Sequence, residues 1–244
     1  ERCFRLLSEE KLRRAEKDGE KTVSGTLGVK DGVLAFTFPD FAVTVEEEKK
    51  HAADPKAAEE VKSELNEIIG LSEVKDYVLS LEQNYIIQRL REARGMKADV
   101  PTMHMIFTGN PGTGKTTIAR LVSRYLKAMG VLSGGQLIEV TRADLVGKYV
   151  GHTAPLTQQV IRSALGGVLF IDEAYSLYRG ADDSFGLEAI DTIVKGMEDH
   201  REDLIVILAG YTKEMEEFLT ANSGLRSRFP NIIEFPNYTA EELL

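Results

Sequence analysis

Hydrophobic positions change their period twice along the chain. From Cys3 to Lys17, Phe4, Leu7 and Leu12 recur among charges at helical spacing and predict a short surface helix. Between Thr22 and Glu46 the apolar residues alternate instead, as Val23, Leu27 and Val29, then Leu34, Phe36 and Phe38, then Phe41, Val43 and Val45. Asp31-Gly32 and Pro39-Asp40 punctuate these runs, so a three-stranded meander is predicted. Residues 46–67 are charged and Ala-rich with Pro55 inside, which reads as a linker running into a helix. The boundary is placed there: 1–54 as a helix, meander and linker, and 55–244 as the main domain.

In the main domain, apolar runs at 103–108, 136–141, 167–171, 204–209 and 231–235 alternate with helical patterns at 72–94, 115–129, 155–165, 187–199 and 213–220. Near-continuous apolar strands separated by helices predict an α/β fold whose mainly parallel sheet is buried on both faces. Composition narrows the class. Hydrophobic residues at 43% and charged residues at 28% are ordinary for a folded globular protein. The net charge of -9 has the wrong sign for a protein that lives on phosphate backbones, which weighs against nucleic acid as a partner. The longest apolar runs, such as Leu204 to Ala209, fall far short of the roughly 20 residues that span a bilayer, so no membrane partner is expected. Cys3 is the sole cysteine and the first residues carry no apolar signal segment, from which a cytoplasmic location is expected.

Chemistry enters directly after the run 103–108. The octapeptide GNPGTGKT, Gly109 to Thr116, fits G-x-x-x-x-G-K-[ST] and opens an amphipathic helical pattern. Glycines let the loop's N–H groups converge on phosphate oxygens, and the helix N-terminus adds positive dipole. Asn110, Pro111, Gly112, Thr113, Gly114, Lys115, Thr116 and Thr117 are therefore the candidate nucleotide-binding residues. Lys115 supplies the mobile charge for the β- and γ-phosphates, and Thr116 a hydroxyl for Mg²⁺. Fifty-odd residues later GVLFIDEA sets Asp172 and Glu173 at the end of an apolar strand. Alone, such a pair is a helix cap about as often as a catalytic site. Beside a phosphate loop, Asp172 reads as the second Mg²⁺ ligand and Glu173 as the group that orients the attacking water. No signature of an acceptor-hydroxyl site accompanies them, so hydrolysis of ATP is expected rather than transfer. His51, His104, His152 and His200 show no metal-ligand spacing with each other or with Cys3.

The motifs together resemble the AAA+ ATPases, in the branch holding stage V sporulation protein K and the CbbX-like red-type Rubisco activases. The resemblance runs from about Leu65 to Leu244. It rests on ELNEIIGLSEVK, HMIFTGNPGTGKTTIARL, ADLVGKYVGHTA, GGVLFIDEAYSL, DLIVILAGYTKEM and SGLRSRFPNIIEFPNY. It implies a P-loop NTPase large subdomain with a five-stranded parallel sheet in the order 5-1-4-3-2, and ATP bound at the subunit boundaries of a hexameric ring. It further implies that Ile69 and Gly70 line the adenine pocket. Arg228, with Arg226 second, would reach a neighbour's site as an arginine finger, catalytic alongside Lys115 and Glu173. Tyr149, Val150 and Gly151 match the pore loop with which family rings grip polypeptide, and Tyr178 to Gly186 is a weaker candidate for a second channel loop. The family's polar sensor falls where this chain reads LAGYT, leaving Tyr211 or Thr212 for that role. The helical lid normally follows FPNYTAEELL, where this sequence stops, so either the sequence is cut short of the lid or the lid is absent.

The expected function is thus a ring-forming, Mg²⁺-ATP-hydrolysing motor that remodels an unidentified protein client. The alternative is a non-threading, ATP-dependent assembly switch or scaffold that uses Tyr149 only for packing.

Overall fold

The computed structural model describes residues 26–30, 33–37, 42–44, 53–93, 102–180 and 182–242. The helix expected over 3–17 and the turn at Pro39-Asp40 lie outside the described residues. The chain divides into two units, Glu1–Lys50 and His51–Leu244.

The first unit holds the meander: β1 (Thr26–Lys30), β2 (Val33–Thr37) and β3 (Ala42–Thr44), antiparallel in that order. Lys30 pairs with Val33, so Asp31 and Gly32 alone separate the first two strands, the spacing of a two-residue hairpin.

The second unit is built on a parallel sheet of β4 (Met105–Gly109), β5 (Leu137–Val140), β6 (Val168–Ile171), β7 (Ile205–Gly210) and β8 (Asn231–Phe235). The order β5-β6-β7-β4-β8 is the 5-1-4-3-2 arrangement that the family resemblance implied. The central strands β4, β6 and β7 are buried along their whole length. The edges differ from the two-sided burial expected of every strand, because β8 alternates exposed and buried positions and β5 is mostly half-covered. An edge strand has a neighbour on one side only, and its outer face is less completely roofed by helices.

Strand periodicity splits the core in two. Met105, Phe107, Val168, Phe170, Ile205 and Ile207 face one layer, while Ile106, Leu169, Ile171, Val206 and Leu208 face the other. The first layer is roofed by α1 (Pro55–Glu67), α2 (Ser72–Ala93) and α3 (Lys115–Ala128). The second is roofed by α5 (Thr153–Ala164), α6 (Ser184–Asp199) and α7 (Thr212–Ala221). Ile118, Leu121, Val122, Tyr125 and Leu126 show why α3 docks: their i, i+3, i+4 spacing makes one apolar stripe, and each such residue contributes about 1.5–3 kcal/mol when fully buried.

Pro55 proves to be the first residue of a helix. Asp54 caps it, its carboxylate accepting from the N–H groups of Lys56 and Ala57 at 3.1 Å. Two short helices, α4 (Arg142–Leu145) and α8 (Ser223–Arg228), and a single 3-10 turn at Ala174–Leu177 escaped the periodicity reading. They are too short to show a period. From Ser184 onward, the segment proposed as a second channel loop is already helix, with Asp183 as its cap.

Candidate nucleotide site

The strand order reverses around β4, and a crevice at the carboxyl ends of strands at such a switch point is where open α/β sheets bind ligands. Most of the predicted phosphate chemistry arrives there, Asn110 and Thr113 being the candidate loop residues that do not line the cleft. The loop after β4 contributes Pro111, Gly112, Gly114, Lys115, Thr116 and Thr117, and the end of β6 contributes Asp172 and Glu173. They line one cleft of about 400 Å³. A second depression, about 430 Å³, shares Thr116 and Thr117 with it and continues along α3 to Ile68, Arg120 and Leu121.

The loop is tightly folded. Thr113 is buried and its hydroxyl donates to the Asn110 carbonyl at 2.8 Å, while the Asn110 amide donates to Asn237 Oδ1 at 2.8 Å. Gly114 has φ +89, in the left-handed region, and stands at the N-cap of α3, with no side chain to satisfy the free N–H groups of the first turn. An uncapped helix N-terminus inside a cleft, next to an ammonium, is chemically suited to an anion such as a polyphosphate. The Lys115 ammonium currently bonds the loop's own carbonyls, Gly109 at 2.9 Å and Asn110 at 2.8 Å. Desolvation lowers its pKa, and the nearby Asp172 charge opposes that shift.

Asp172 and Glu173 have unlike settings. Asp172 accepts a hydrogen bond from the backbone N–H of Glu173 at 2.9 Å. Glu173 itself has φ 47 and ψ 45, a left-handed conformation that costs a residue with a side chain about 1–2 kcal/mol. Strain of this kind collects at functional sites, where the surrounding structure holds it in place. Thr116 and Asp172, two oxygen ligands in the same cleft, fit a Mg²⁺ ion that takes its remaining ligands from phosphates and water.

The other predicted residues lie elsewhere. Ile69 is 61% exposed, and Gly70 (φ +68) and Leu71 (φ +55) form a left-handed turn between α1 and α2. That turn does approach the phosphate loop, since a Cβ on Gly114 would lie 3.6 Å from Leu71 Cδ1 and 3.4 Å from Tyr238 Oη. Tyr149 and Val150 are 68% and 88% exposed, on the connection between α4 and α5, and Gly151 has φ +81. Arg226 and Arg228 sit in the last turn of α8. Arg228 bonds Glu198 and, at 2.8 Å, the Gly224 carbonyl, whereas Arg226 is exposed with no ion pair among the described residues. Tyr211 lines the cleft and Thr212, which opens α7, does not.

Three features were missed from sequence. Tyr175 and Gly210 line the cleft. Asn237 braces the phosphate loop from beyond β8. Arg142 makes a two-pronged pair with Asp183, at 2.6 and 2.9 Å, while also donating to the carbonyls of Ser176 (2.9 Å) and Leu177 (3.2 Å). Only Arg142 left a sequence signal, the Thr141-x-x-Asp144 capping box that starts its helix.

A phosphate loop on the first strand of a parallel sheet, facing an Asp-Glu pair two strands away across β7, defines a P-loop nucleotide-binding domain. A family model described as ATPase family associated with various cellular activities (AAA) matches residues 105–237, more than half of the chain, and the chain belongs to that family. Within it the relatives are those of the stage V sporulation protein K and CbbX branch. Stage V sporulation protein K of Bacillus subtilis is 48% identical over 196 residues, covering 80% of this chain and 61% of that protein. Protein CbbX of Cereibacter sphaeroides is 50% identical over 188 residues, covering 76% and 61%. A chloroplastic ribulose bisphosphate carboxylase/oxygenase activase of Cyanidioschyzon merolae is 50% identical over 179 residues, covering 73% and 61%. The chain thus spans about three fifths of the length of these relatives. The FIGL-1 AAA domain solved in complex with ADP shares the fold, with a TM-score of 0.51 at 21% identity over 72% of this chain and 56% of that one. Among the described residues no helix is long and apolar enough to cross a membrane.

Proposed function

We propose that the chain hydrolyses Mg²⁺-ATP as one subunit of a ring, of hexameric size by family resemblance, and uses the cycle to remodel a protein client. The observation that carries this reading is the single cleft lined by Lys115, Thr116, Asp172 and Glu173. Lys115 exchanges the carbonyls of Gly109 and Asn110 for phosphate oxygens, and the open N–H groups at the start of α3 take the remaining phosphate charge. Mg²⁺, held by Thr116 and Asp172, supplies neutralisation of the charge on the transferred group. Glu173 orients the attacking water and accepts its proton. Ile69 and Gly70 stand at the base end of the nucleotide, on a turn whose Leu71 already approaches the phosphate loop.

Arg228, and Arg226 after it, would complete a neighbour's site. Such a finger contributes about 10³–10⁵ in rate, so an isolated subunit should turn over slowly. Tyr149, Val150 and Gly151 form the client-gripping loop in this reading. An exposed aromatic can pack on varied side chains at low entropic cost, and the exposure of Tyr149 and Val150 supports the assignment.

The test is ATP turnover per chain across a hundredfold range of protein concentration, with Glu173→Gln as the inactive control. Turnover that rises with concentration and falls at least 10³-fold in Arg228→Ala is expected. Turnover independent of concentration and insensitive to both Arg228→Ala and Arg226→Ala would overturn the shared site.

A further inference from the structure

The nucleotide cleft contains a pair of tyrosines, Tyr211 at the candidate sensor position and Tyr175, which no motif accounts for. Tyr175 lies two residues beyond Glu173 on the 3-10 turn, Tyr211 directly follows β7, and both line the cleft beside Lys115, Asp172 and Glu173. Their rings stack, with centroids 5.9 Å apart and planes 28° from parallel. This arrangement depends on the absence of a side chain at residue 210. A Cβ on Gly210 would lie 2.8 Å from Tyr175 Cδ1 and 2.9 Å from Met215 Cγ and Sδ. Met215 is fully buried and has little room to give way. The Tyr175 ring is thus held on one side by the end of β7 and on another by Tyr211.

Its hydroxyl is left over. Among the described residues neither the Tyr175 nor the Tyr211 hydroxyl has a hydrogen-bond partner. Burial pushes the Tyr175 phenol up to about 12, and the charges of Glu173, Glu214 and Asp172 act in the same direction. It therefore stays a protonated donor at neutral pH, next to two carboxylates. A half-buried aromatic that is fixed by packing and carries a free donor in a reaction cleft is suited to orienting an acceptor there.

We propose that Tyr175 is a positioning residue for ATP hydrolysis, its hydroxyl, unpartnered in this structure, engaging the Glu173 carboxylate once nucleotide fills the cleft and holding it in register with the water it orients, while Tyr211 and Gly210 fix the ring. This rests on the reading of Glu173 given above.

The experiment compares Tyr175→Phe, Glu173→Gln and the unsubstituted protein for kcat, KM, Mg²⁺-ATP binding and Tm. Phenylalanine keeps the ring stack and removes only the donor. A kcat at least tenfold lower, with KM and nucleotide affinity within twofold and Tm within about 1 °C, is expected. Gly210→Ala, which pushes the ring out of place, should lower kcat in the same way while leaving nucleotide affinity intact. An unchanged kcat in Tyr175→Phe overturns the proposal, as does a fall in kcat matched by an equal loss of nucleotide affinity, which would make Tyr175 a binding contact. If Glu173→Gln keeps its turnover, the hydrolysis reading itself fails. If Glu173→Gln is inactive and Tyr175→Phe is not, only the role of Tyr175 fails.

Discussion

Lowering the pH should weaken the fold through one buried imidazole, His104. It lies just ahead of β4 and is only 6% exposed. Its Nδ1 accepts a hydrogen bond from the Val206 N–H at 3.0 Å, its ring lies 5.8 Å from that of Phe229, and its backbone carbonyl accepts from the Asn231 amide at 3.0 Å. Protonation would turn Nδ1 into a donor facing a donor, inside a setting that offers no counter-charge among the described residues. Burial accordingly lowers the pKa from 6.5 to about 4.

A depressed pKa means that the folded state refuses a proton which the unfolded chain accepts. The stabilisation is fully present above about pH 6.5. It declines as the pH falls from there and is gone below about 4. At about 1.4 kcal/mol per pH unit the whole loss is about 3 kcal/mol, a large share of the stability of an ordinary domain. The assay is urea unfolding at pH 7.5, 6.5, 5.5 and 4.5, run in parallel on His104→Asn. Asparagine Oδ1 can still accept from Val206 but does not titrate in this range. Carboxylates titrate alike in both proteins and drop out of the difference. The gap between them should close by about 2.5 kcal/mol between pH 7.5 and 4.5. A gap constant to within about 0.5 kcal/mol would refute the reasoning, because His104 would then bind its proton equally well in both states.

Two further substitutions probe the elements around the cleft. Arg142→Ala removes the partner that holds Asp183 at about 2 and frees the carbonyls of Ser176 and Leu177. With the two side chains only 16% and 11% exposed, a loss of about 3 kcal/mol is expected in chemical denaturation, with Arg142→Lys recovering only part, and an unchanged midpoint would count against the pair as a structural brace. Tyr149→Ala should leave Tm within about 1 °C, since Tyr149 is exposed and its one ring contact among the described residues is a T-shaped one with His152. A threading motor loses client remodelling in this variant, whereas a client effect that persists assigns the protein to the assembly-switch class.

The central sheet was legible because burial on both faces leaves a mark that no turn or loop imitates. The runs at 103–108, 167–171 and 204–209 contain β4, β6 and β7 to within two residues at each end. The phosphate loop was legible for a different reason: its chemistry demands particular residues at fixed spacing. What sequence could not reach was contact across distance. Arg142 and Asp183 are 41 positions apart and Asn110 and Asn237 are 127 apart, and nothing local in either pair announces the other. Tyr175 was invisible for a third reason. A tyrosine two residues past an acidic pair has no role until Gly210, from another strand, opens the space for its ring.

The same long-range contacts tie the cleft to the exposed Tyr149 loop. Arg142 opens α4, the four-residue helix that leads directly into that loop, and its guanidinium grips two carbonyls three and four residues beyond Glu173. The loop's feet are held as well. Thr157 donates its hydroxyl to the Leu145 carbonyl at 2.9 Å, and the Gly147 N–H donates to Thr153 Oγ1 at 3.1 Å. Tyr149 and Val150 project from between these anchors into solvent. Packed, hydrogen-bonded elements move as units rather than bending gradually. A shift of the turn that carries Glu173 and Tyr175 therefore cannot leave Arg142 behind without breaking its bonds to the Ser176 and Leu177 carbonyls. Arg142 is the first residue of α4, and the base of the Tyr149 loop is built on α4.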